Sequence, residues 1–436
     1  GLREVVQDPI HGSIILEPHE RDIVNTSIFQ RLRRIRQLPS AYFVYPGACH
    51  SRFEHSLGTM NISGYFSEKL LEPLVFSGKI SSETQKKCTY LARLWGLLHD
   101  IGHCPFSHVF DSAVLQKAKT DHEEIGVKIV QNSPELSIIF KKLSKDLGIE
   151  VEEICLAMIK EIPQDIEDLE KALLYVIRGP YSADVIDYLL RDSHHAGVRE
   201  YGQVSWQRLI LTSLIHNGKV VLEQRSEPAL SSFYVSRHQM YNTVYYHRTC
   251  RAIDRMIRDM LEIEKDYLLK RTENLQLFSQ FDEEELLQTL RNKKNDAGRI
   301  ARDILNRSVW WKEVYTKETV FGEESFKDMI SDQTYQSKQE QRIAGKLKSY
   351  SAGEDFFVDG AYLKESPLSP FAGVSSVTLF NPETGEAKEW SFDNYLGRAG
   401  FTFWIRVYKR AESSLSEETL YKTCVQVFGG SAETHH

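Results

Sequence analysis

The chain has 436 residues, of which 41% are hydrophobic and 26% charged, as in a globular protein long enough for two or three folding units. Its 54 basic and 61 acidic side chains give a formal net charge of -7, which excludes the overall basic excess of a dedicated nucleic-acid binder. No apolar stretch approaches the roughly 20 residues needed to span a bilayer. We therefore expect no membrane partner and a cytoplasmic address, or a nuclear one in a eukaryote.

The six cysteines include no CxxC pair, so the sequence indicates neither a disulfide framework nor a thiolate zinc site. Any metal must therefore be held by nitrogen and oxygen atoms. Eight of the 15 histidines lie between His50 and His195, which makes that segment the place to look for such a site. We expect the terminal His435 and His436 to be tag residues.

Residues 4–6 predict a short strand, and residues 8–12 predict a turn. Apolar residues then recur at helical spacing, so the region to about residue 200 is predicted to be mostly helical. Residues 209–211 and 220–222 are apolar and flank Asn217-Gly218, a pair typical of a tight β-turn. We therefore expect a hairpin at this point.

A single helix is predicted for residues 231–264, followed by a charged helical segment over residues 265–350. From about residue 374 the pattern favours strands, because residues 377–380 and 390–392 bracket a turn and residues 401–408 are aromatic and β-branched. The predicted fold is mainly α. We expect three units. Residues 1–264 form a helical core with a small β-hairpin, residues 265–350 a charged helical subdomain, and residues 351–436 a small α+β region.

The segment 92–103 carries the first chemical signal. An apolar helix there ends in the adjacent pair His99-Asp100, which is followed by Gly102. Burying that pair without a partner is costly, and a divalent cation is a partner that neutral imidazole and carboxylate commonly bind. For an isolated dipeptide, a buried hydrogen-bonded pair is the alternative.

Further candidate residues lie on both sides of this pair. Arg52 and His55 are three residues apart on a predicted helix and so share one face. Asp184, Tyr188 and Asp192 recur at intervals of four on another helix. This ordered series of His, His-Asp and a later Asp favours a metal site over unrelated buried or surface histidines.

These motifs resemble the HD-domain hydrolases, and among them most closely the deoxynucleoside triphosphate (dNTP) triphosphohydrolases. The resemblance extends over residues 5–250 in the family's order. The passages that carry it are residues 8–12 (DPIHG), 29–33 (FQRLR), 50–58 (HSRFEHSLG), 99–108 (HDIGHCPFSH), 188–192 (YLLRD) and 236–241 (SRHQMY). The resemblance implies an HD-domain helical core and hydrolysis of dNTPs to deoxynucleoside and inorganic triphosphate.

The resemblance also implies a metal bound by His55, His99, Asp100 and Asp184. Such ligands suit Fe, Mn, Co, Ni or Zn, and Mg is a candidate second ion. A hydrolytic metal lowers the pKa of water and polarises a phosphoryl oxygen, which suits attack at the α-phosphorus.

Catalytic roles are implied for His103, His108 and His122, together with Asp111. Because Asp111 lies three residues after His108 and can orient its imidazole, we expect His108 to be the general acid for the leaving 5′ oxygen. His103 and His122 are expected to contact phosphate. Taken singly, each histidine has a structural or exposed role as its alternative.

A triphosphate needs cations, and arginine suits it through forked, charge-assisted hydrogen bonds. Arg52 and Arg237 match phosphate-contact positions of the family. Arg237, Tyr241 and Tyr245 also share a helical face that we expect to point toward the site. A solvated face is the alternative for that pattern.

Sugar recognition is implied at Gln37 and Leu38, which match a pair packed under the ribose, and at Asp192, which matches a contact to the 3′ hydroxyl. A tight apolar wall excludes a 2′ hydroxyl by contact and by leaving it unpaired. Tyr188 belongs to the same substrate-binding set. These residues favour deoxyribose over ribose.

A nucleotide effector site is implied only in part. Gln30 and Arg33 match guanine-recognising positions, whereas Asn25 replaces an acidic residue and Glu4 a basic one. For the basic stretch of residues 31–36, an exposed solvated helix is the alternative to anion binding.

Val185 departs from the family pattern, because many relatives carry Lys or Arg directly after the last metal ligand. The departure leaves open an altered substrate length, compensation by another basic residue such as Arg191, or weak activity. Two alternatives to a dNTP triphosphohydrolase therefore remain: a phosphohydrolase for another nucleotide or a nucleic-acid end, and a weakly active nucleotide or nucleic-acid sensor. The resemblance also implies a homo-oligomer, either a dimer or a tetramer.

Overall fold

Helices dominate the computed structural model of the protein, which describes residues 4–165, 167–320, 333–360, 377–390 and 402–429. The predicted mainly α class is confirmed. The helices of nine or more residues are Arg52–Phe76, Ser82–Leu98, His122–Asn132, Pro134–Leu147, Ala183–Ala196, Glu227–Met240, Arg248–Ile263, Lys265–Glu273, Glu283–Arg291, Asp296–Leu305, Gln333–Leu347 and Glu417–Phe428. Among the described helices, none combines the length and the apolar character needed to cross a membrane. The expected tag residues His435 and His436 lie outside the described residues.

Shorter helical segments connect these helices. The α-helical ones are Pro18–Val24, Ser27–Gln30, His108–Phe110, Val151–Cys155, Asp168–Leu173, Tyr175–Arg178, Arg199–Gly202, Trp206–Leu211 and Leu275–Phe278. In the described parts of the chain, 3-10 turns are formed by Arg31–Arg34, Ala41–Phe43, Gln116–Ala118 and Gln224–Ser226. Two π-helical turns are formed by Asp111–Leu115 and Tyr241–Tyr245.

The strands of the described residues form three small sheets. Strands Glu4–Asp8 and Gly12–Leu16 form an antiparallel hairpin, which includes the predicted opening strand. A four-stranded sheet has the spatial order Ser213–His216, Lys219–Glu223, Val377–Phe380 and Ala387–Trp390. A three-stranded antiparallel sheet has the order Trp311–Val320, Thr402–Arg410 and Phe356–Gly360.

The C-terminal strands agree in part with the sequence analysis. Residues 377–380 form a strand as predicted, whereas residues 391, 392 and 401 lie outside the described residues. Residues 311–320, which were expected to be helical, form a strand, because their aromatic and β-branched side chains favour extended backbone. This strand pairs with Thr402–Arg410, across the predicted boundary at residue 350. The division into three units stays a prediction.

The predicted hairpin after residue 205 exists, but its first strand is displaced. Asn217 and Gly218 have positive φ angles of 49° and 72°, as a two-residue type I′ turn requires. That turn fixes where pairing starts, so the first strand is Ser213–His216. The expected strand at residues 209–211 is wrong, because these residues end the helix Trp206–Leu211.

The single helix expected over residues 231–264 is interrupted, and the expectation is wrong in this respect. Helix Glu227–Met240 passes into the π-helical turn Tyr241–Tyr245, and a new helix begins at Arg248. A π-helical turn inserts an extra residue and often occurs at a functional site. The regular α-helical spacing that predicted one polar and aromatic face therefore ends at Met240.

Three helices, called the framework helices below, position the candidate site. Arg52–Phe76 packs along Ser82–Leu98 and also against Ala183–Ala196. The approach of the first and third depends on glycine, because a Cβ atom at Gly58 would lie only 1.9 Å from a side-chain oxygen of Asp187. The ends of the framework helices bring the candidate ligands together.

Candidate metal centre and adjoining cavity

Three of the four predicted metal ligands converge at the helix ends. His55 lies in the first turn of the first framework helix, His99 caps the end of the second, and Asp184 lies in the first turn of the third. Asp184 Oδ1 is 3.0 Å from His55 Nε2 and 3.5 Å from His99 Nε2. The three ligand atoms lie within 4.8 Å of one another, so a single ion can contact all of them.

The two imidazoles are oriented for a metal. His99 Nδ1 donates to the Gly96 carbonyl at 2.9 Å, and His55 Nδ1 lies 2.8 Å from Asp187 Oδ2. Each contact directs Nε2 toward the shared centre, and neither Nε2 makes a hydrogen bond of good geometry within the described part of the chain. Buried orphan nitrogens beside a carboxylate fit a divalent transition metal.

Asp100, the fourth predicted ligand, lies at the edge of this cluster. Its Oδ1 is 3.4 Å from His99 Nε2, and its Oδ2 is 3.6 Å from His55 Nε2. The same Oδ2 accepts a hydrogen bond from Arg52 Nη1, and Oδ1 lies 3.3 Å from His103 Nε2. Asp100 is therefore close enough to reach an ion while it also holds Arg52 and His103.

The imidazoles and carboxylates of the ligand cluster shift one another's pKa values. Burial opposes protonation of His55, but the adjacent carboxylates of Asp184 and Asp187 outweigh burial and raise its pKa to about 10. For Asp184, burial acts to raise the pKa, whereas the contacts with His55 and His99 bring it below its usual range. Because a metal binds neutral imidazole, His55 would release its proton in order to hold an ion.

Asp187 contacts the ligand cluster but is not among the residues predicted from the sequence. Its buried carboxylate lies 2.8 Å from His55 Nδ1 and 2.6 Å from His11 Nε2, and it accepts hydrogen bonds of 2.9 and 3.1 Å from Arg191. A carboxylate behind a metal-binding histidine fixes the orientation of the ring. Its position one helical turn after Asp184 is the signal that could have found it.

Three further histidines form a second group, called the histidine triplet below. The rings of His103 and His122 stack with centroids 3.8 Å apart, and His108 meets them edge-on at 5.1 and 5.6 Å. Asp111 Oδ2 lies 2.6 Å from His122 Nδ1 and 3.5 Å from His108 Nδ1. The carboxylate expected to orient His108 therefore binds His122 more closely.

The histidine triplet also has the spacing of a cation site, since its ring nitrogens lie within 4.8 Å of one another. A site of imidazoles alone suits a softer ion than Mg, which prefers oxygen ligands. Burial raises the pKa of Asp111, but its hydrogen bonds to His108 and His122 outweigh burial and keep that pKa well below its usual range. Asp111 therefore stays ionised and can stabilise a protonated neighbour.

A cavity of about 200 Å³ joins the ligand cluster to the histidine triplet. Its lining residues are Gln37, Arg52, His99, Asp100, His103, His108, His122, Glu123, Ala157, Ile177, Arg178, Asp184 and Tyr188. Three predicted substrate-binding residues, Gln37, Arg52 and Tyr188, thus line the same space as the candidate ligands. Gln37 Oε1 is buried without a hydrogen-bond partner among the described residues, which leaves an acceptor for a ligand. Leu38 packs against the hydrophobic core.

The other predicted substrate-binding residues lie outside that lining. Asp192 Oδ1 is 2.6 Å from His50 Nε2, and Asp192 Oδ2 accepts a 2.6 Å hydrogen bond from the Tyr245 hydroxyl. Both carboxylate oxygens of Asp192 are thus engaged within the protein. The Arg237 guanidinium lies 5.8 Å from the centre of the Tyr241 ring. The Tyr245 ring meets the Tyr188 ring edge-on with centroids 6.2 Å apart, so it lies behind a residue of the cavity lining.

The basic stretch of residues 31–36 is mostly occupied by internal contacts. Arg31 is fully buried and donates to three backbone carbonyls. Arg34 and Arg36 pair with the carboxylates of residues 282 and 283 at 2.5 and 3.1 Å. The alternative of a solvated basic helix is therefore wrong for Arg31, whose charge is used inside the fold.

The predicted effector residues contact each other outside the cavity lining. Arg33 is exposed, and its Nε donates to Gln30 Oε1 at 2.8 Å. Gln30 Nε2 donates to the Val24 carbonyl at 2.7 Å, and the Arg33 guanidinium lies 3.6 Å from the Phe53 ring centre. The effector role of both residues stays a prediction.

Val185 contributes no charge to the cavity, because its side chain is 4% exposed and packs in the hydrophobic core. Arg191, the suggested replacement cation, is buried and bound by Asp8 and Asp187. Arg178 lines the cavity instead. Arg178 is not among the residues predicted from the sequence, because only the path of the chain brings it near the histidine triplet.

Two family models match the chain. Residues 52–177 match the HD domain, and residues 204–359 match the HD-associated region. The HD-domain match contains His55, His99 and Asp100. The chain therefore contains an HD domain followed by an HD-associated region, and the resemblance seen in the sequence is confirmed at this level.

Several curated proteins are similar in sequence. MJ1154 of Methanocaldococcus jannaschii is 36% identical over 259 residues, which are 58% of this chain and 48% of that protein. YwfO of Bacillus subtilis is 30% identical over 263 residues, or 60% of this chain and 56% of YwfO. The human deoxynucleoside triphosphate triphosphohydrolase SAMHD1 is 32% identical over 294 residues, or 61% of this chain and 45% of SAMHD1. The chain spans about half the length of the curated relatives it matches.

Proposed function

We propose that this chain is a metal-dependent hydrolase that converts dNTPs into deoxynucleoside and inorganic triphosphate. The observation that carries the proposal is the convergence of His55, His99 and Asp184 beside a cavity that His108 and His122 also line. Similarity to SAMHD1, whose name states this activity, supports the substrate class.

His55, His99 and Asp184 would hold the metal, with Asp100 as the fourth ligand. When bound, a divalent ion lowers the pKa of water and stabilises negative charge on a phosphoryl oxygen. The ligand set suits Fe, Mn, Co, Ni or Zn. A second ion such as Mg prefers oxygen ligands, which phosphate groups offer.

The histidine triplet supplies the proton that the leaving group needs. Water gives its oxygen to the α-phosphorus and a proton to solution, and the bond from that phosphorus to the 5′ oxygen breaks. The leaving 5′ oxygen takes a proton from His108, whose side chain is 62% exposed and lines the cavity. Asp111 supports this transfer because its ionised carboxylate contacts both His108 and His122.

Arg52, Gln37 and Tyr188 bind the substrate from the cavity wall. Arg52 is fixed by its contacts with Asp100 and Ser107, so its guanidinium is rigidly placed next to the ligand cluster. Gln37 offers its free Oε1 to the sugar. The residues behind Tyr188 shape the sugar and base side of the site, and they are Asp192, Arg237, Tyr241 and Tyr245.

A product assay tests the proposal. The purified protein is incubated with each dNTP, ribonucleoside triphosphates and deoxynucleoside monophosphates, separately with Mn, Fe, Co, Ni, Zn and Mg, and the products are separated by ion-exchange chromatography. We expect deoxynucleoside and intact inorganic triphosphate from dNTPs. Release of monophosphate or pyrophosphate would contradict the reaction. Nucleotide binding without turnover in any metal would favour a nucleotide sensor, the function that the uncharged Val185 supports.

Regulation and assembly complete the proposal. A nucleotide effector would bind near Gln30 and Arg33, and the protein would be a dimer or a tetramer. Light scattering with and without added nucleotide measures the oligomeric state directly.

A further inference from the structure

Arg178 is a cation in the cavity that the roles given so far do not use. It ends the short helix Tyr175–Arg178 and lines the cavity together with His108 and His122. Its side chain is 25% exposed. The guanidinium is therefore partly withdrawn from solvent and borders the space that a substrate would fill.

Arg52 and Arg178 are the two arginines of the cavity lining, which contains no lysine among the described residues. Arg52, the other guanidinium in the lining, donates to the Asp100 carboxylate and to Ser107 Oγ at 2.8 Å, so Asp100 already balances its charge. Val185 is apolar and buried. Besides any ion held by the ligand cluster, a polyphosphate that enters this cavity needs a cation that is not already held by a short hydrogen bond to a carboxylate.

Arg178 meets that need. Its Nε donates to the Ala157 carbonyl at 3.0 Å, which fixes the plane of the guanidinium. Within the described residues, the carboxylate within 4.0 Å of Arg178 is that of Glu123, and Nη2 to Oε1 is 3.8 Å. A charge-assisted hydrogen bond between such groups is about 2.7–2.9 Å long, so the two charges are paired loosely. Burial lowers the pKa of Arg178, with Glu123 opposing it, as expected for a cation short of anionic partners.

We infer that Arg178 binds phosphate oxygens beyond the α-phosphorus and makes the cavity selective for triphosphates over shorter phosphates. The inference depends on the proposed function for the identity of the substrate, but not for the binding of the anion. Glu123 borders the same space and repels an anion there, so Arg178 and Glu123 act in opposite directions on triphosphate affinity.

The test is calorimetric titration of the metal-loaded protein with inorganic triphosphate, pyrophosphate and phosphate. Arg178→Gln should weaken triphosphate binding by about tenfold or more, as the loss of a charge-assisted bond predicts, and should change phosphate binding little. Glu123→Gln should leave triphosphate affinity equal or tighter. Arg225→Ala is the matched control, since that side chain is 69% exposed and should leave all three affinities unchanged.

Two results would overturn the inference. The first is unchanged triphosphate affinity in Arg178→Gln. The second is equal weakening by Arg178→Gln and Glu123→Gln, which would make the pair purely structural. Melting temperatures of all variants, and partial retention of affinity in Arg178→Lys, separate loss of binding from loss of folding. Triphosphate binding through Arg178 without dNTP turnover would remove the proposed function alone, whereas dNTP turnover with normal binding in Arg178→Gln would remove this inference alone.

Discussion

Glu283 accepts a 3.2 Å hydrogen bond from the backbone N–H of Phe106, and so joins the HD-associated region to the turn that precedes His108. Phe106 and Ser107 have positive φ angles of 64° and 49°, an unfavourable backbone conformation for residues other than glycine. Glu283 also accepts the backbone N–H of Arg36 at 3.1 Å. One buried carboxyl group therefore holds the strained turn in place.

Glu283→Gln should flatten the pH dependence of stability. Burial raises the pKa of Glu283 from 4.5 to about 7, although Arg36 opposes this shift. Because the folded state binds the proton more tightly, the contribution of Glu283 is fully present below pH 4.5 and is lost as the pH rises through about 7. We expect the urea-unfolding free energy of Glu283→Gln to vary less than wild type over this range. The exposed Glu284→Gln is the control, and a wild-type slope in Glu283→Gln would contradict the prediction.

Asp184→Ala should lose metal and turnover together, because it removes a ligand, and His99→Ala should do the same. Asp187→Asn keeps every ligand but weakens the contact that orients His55, so metal affinity should fall by roughly ten- to a hundredfold. Metal content by mass spectrometry and competition with a chelator measure both effects. Asp168→Asn is the control, since that side chain is 87% exposed. Full metal occupancy in Asp184→Ala would reject the ligand set.

His108→Ala should keep its metal and lose rate by about a hundredfold or more, as expected for a general acid. His122→Ala should also keep its metal. The pH profile of kcat distinguishes the two, because only the variant that removes the proton donor loses the alkaline limb. Should that limb disappear in His122→Ala and persist in His108→Ala, the closer contact of Asp111 with His122 would identify His122 as the donor.

Gly102→Ala should destabilise the protein and impair the histidine triplet. A Cβ atom at Gly102 would lie 2.0 Å from the His122 carbonyl oxygen and 2.4 Å from the Gly126 nitrogen. Both are backbone atoms of one helix, so the helix must move, at a cost of about 1–3 kcal/mol. Thermal unfolding and the dNTP assay measure the two effects. Gly345→Ala is the control, because a Cβ atom there has no neighbour within 4 Å, and a wild-type melting temperature in Gly102→Ala would refute the prediction.

Part of the candidate ligand set could be predicted from local chemistry and spacing, whereas Asp184 depends on the order of the motifs along the chain. His99 and Asp100 are adjacent, and His55 follows Arg52 by one helical turn, so both patterns are visible before any fold is known. The long-range contacts around these ligands were not predictable. Asp187 contacts His11, which lies 176 residues away, and no local pattern indicates such a contact.

The secondary structure of short segments was also only partly predictable, because contacts distant in sequence decide it. The pair Asn217-Gly218 correctly predicted a turn, but helix and strand compete for the short apolar run at residues 209–211, and tertiary packing selected the helix. The π-helical turn Tyr241–Tyr245 has no simple sequence signature, so the bend that it introduces was missed. Arg178 reaches the cavity only through the path of the chain.

The 2.6 Å contact between His11 and Asp187 connects the N-terminal hairpin to the carboxylate behind His55, so the hairpin would contribute to holding a metal at the proposed centre. Asp187 orients the His55 imidazole. If the hairpin undocks, Asp187 loses its contact with His11, and the orientation of His55 is less well fixed. Metal occupancy of the proposed centre and docking of the hairpin would therefore be thermodynamically linked, and each would favour the other to the same degree. Removal of the metal by a chelator should accordingly speed proteolysis within the first 20 residues. A ligand that binds the undocked hairpin should lower the metal affinity.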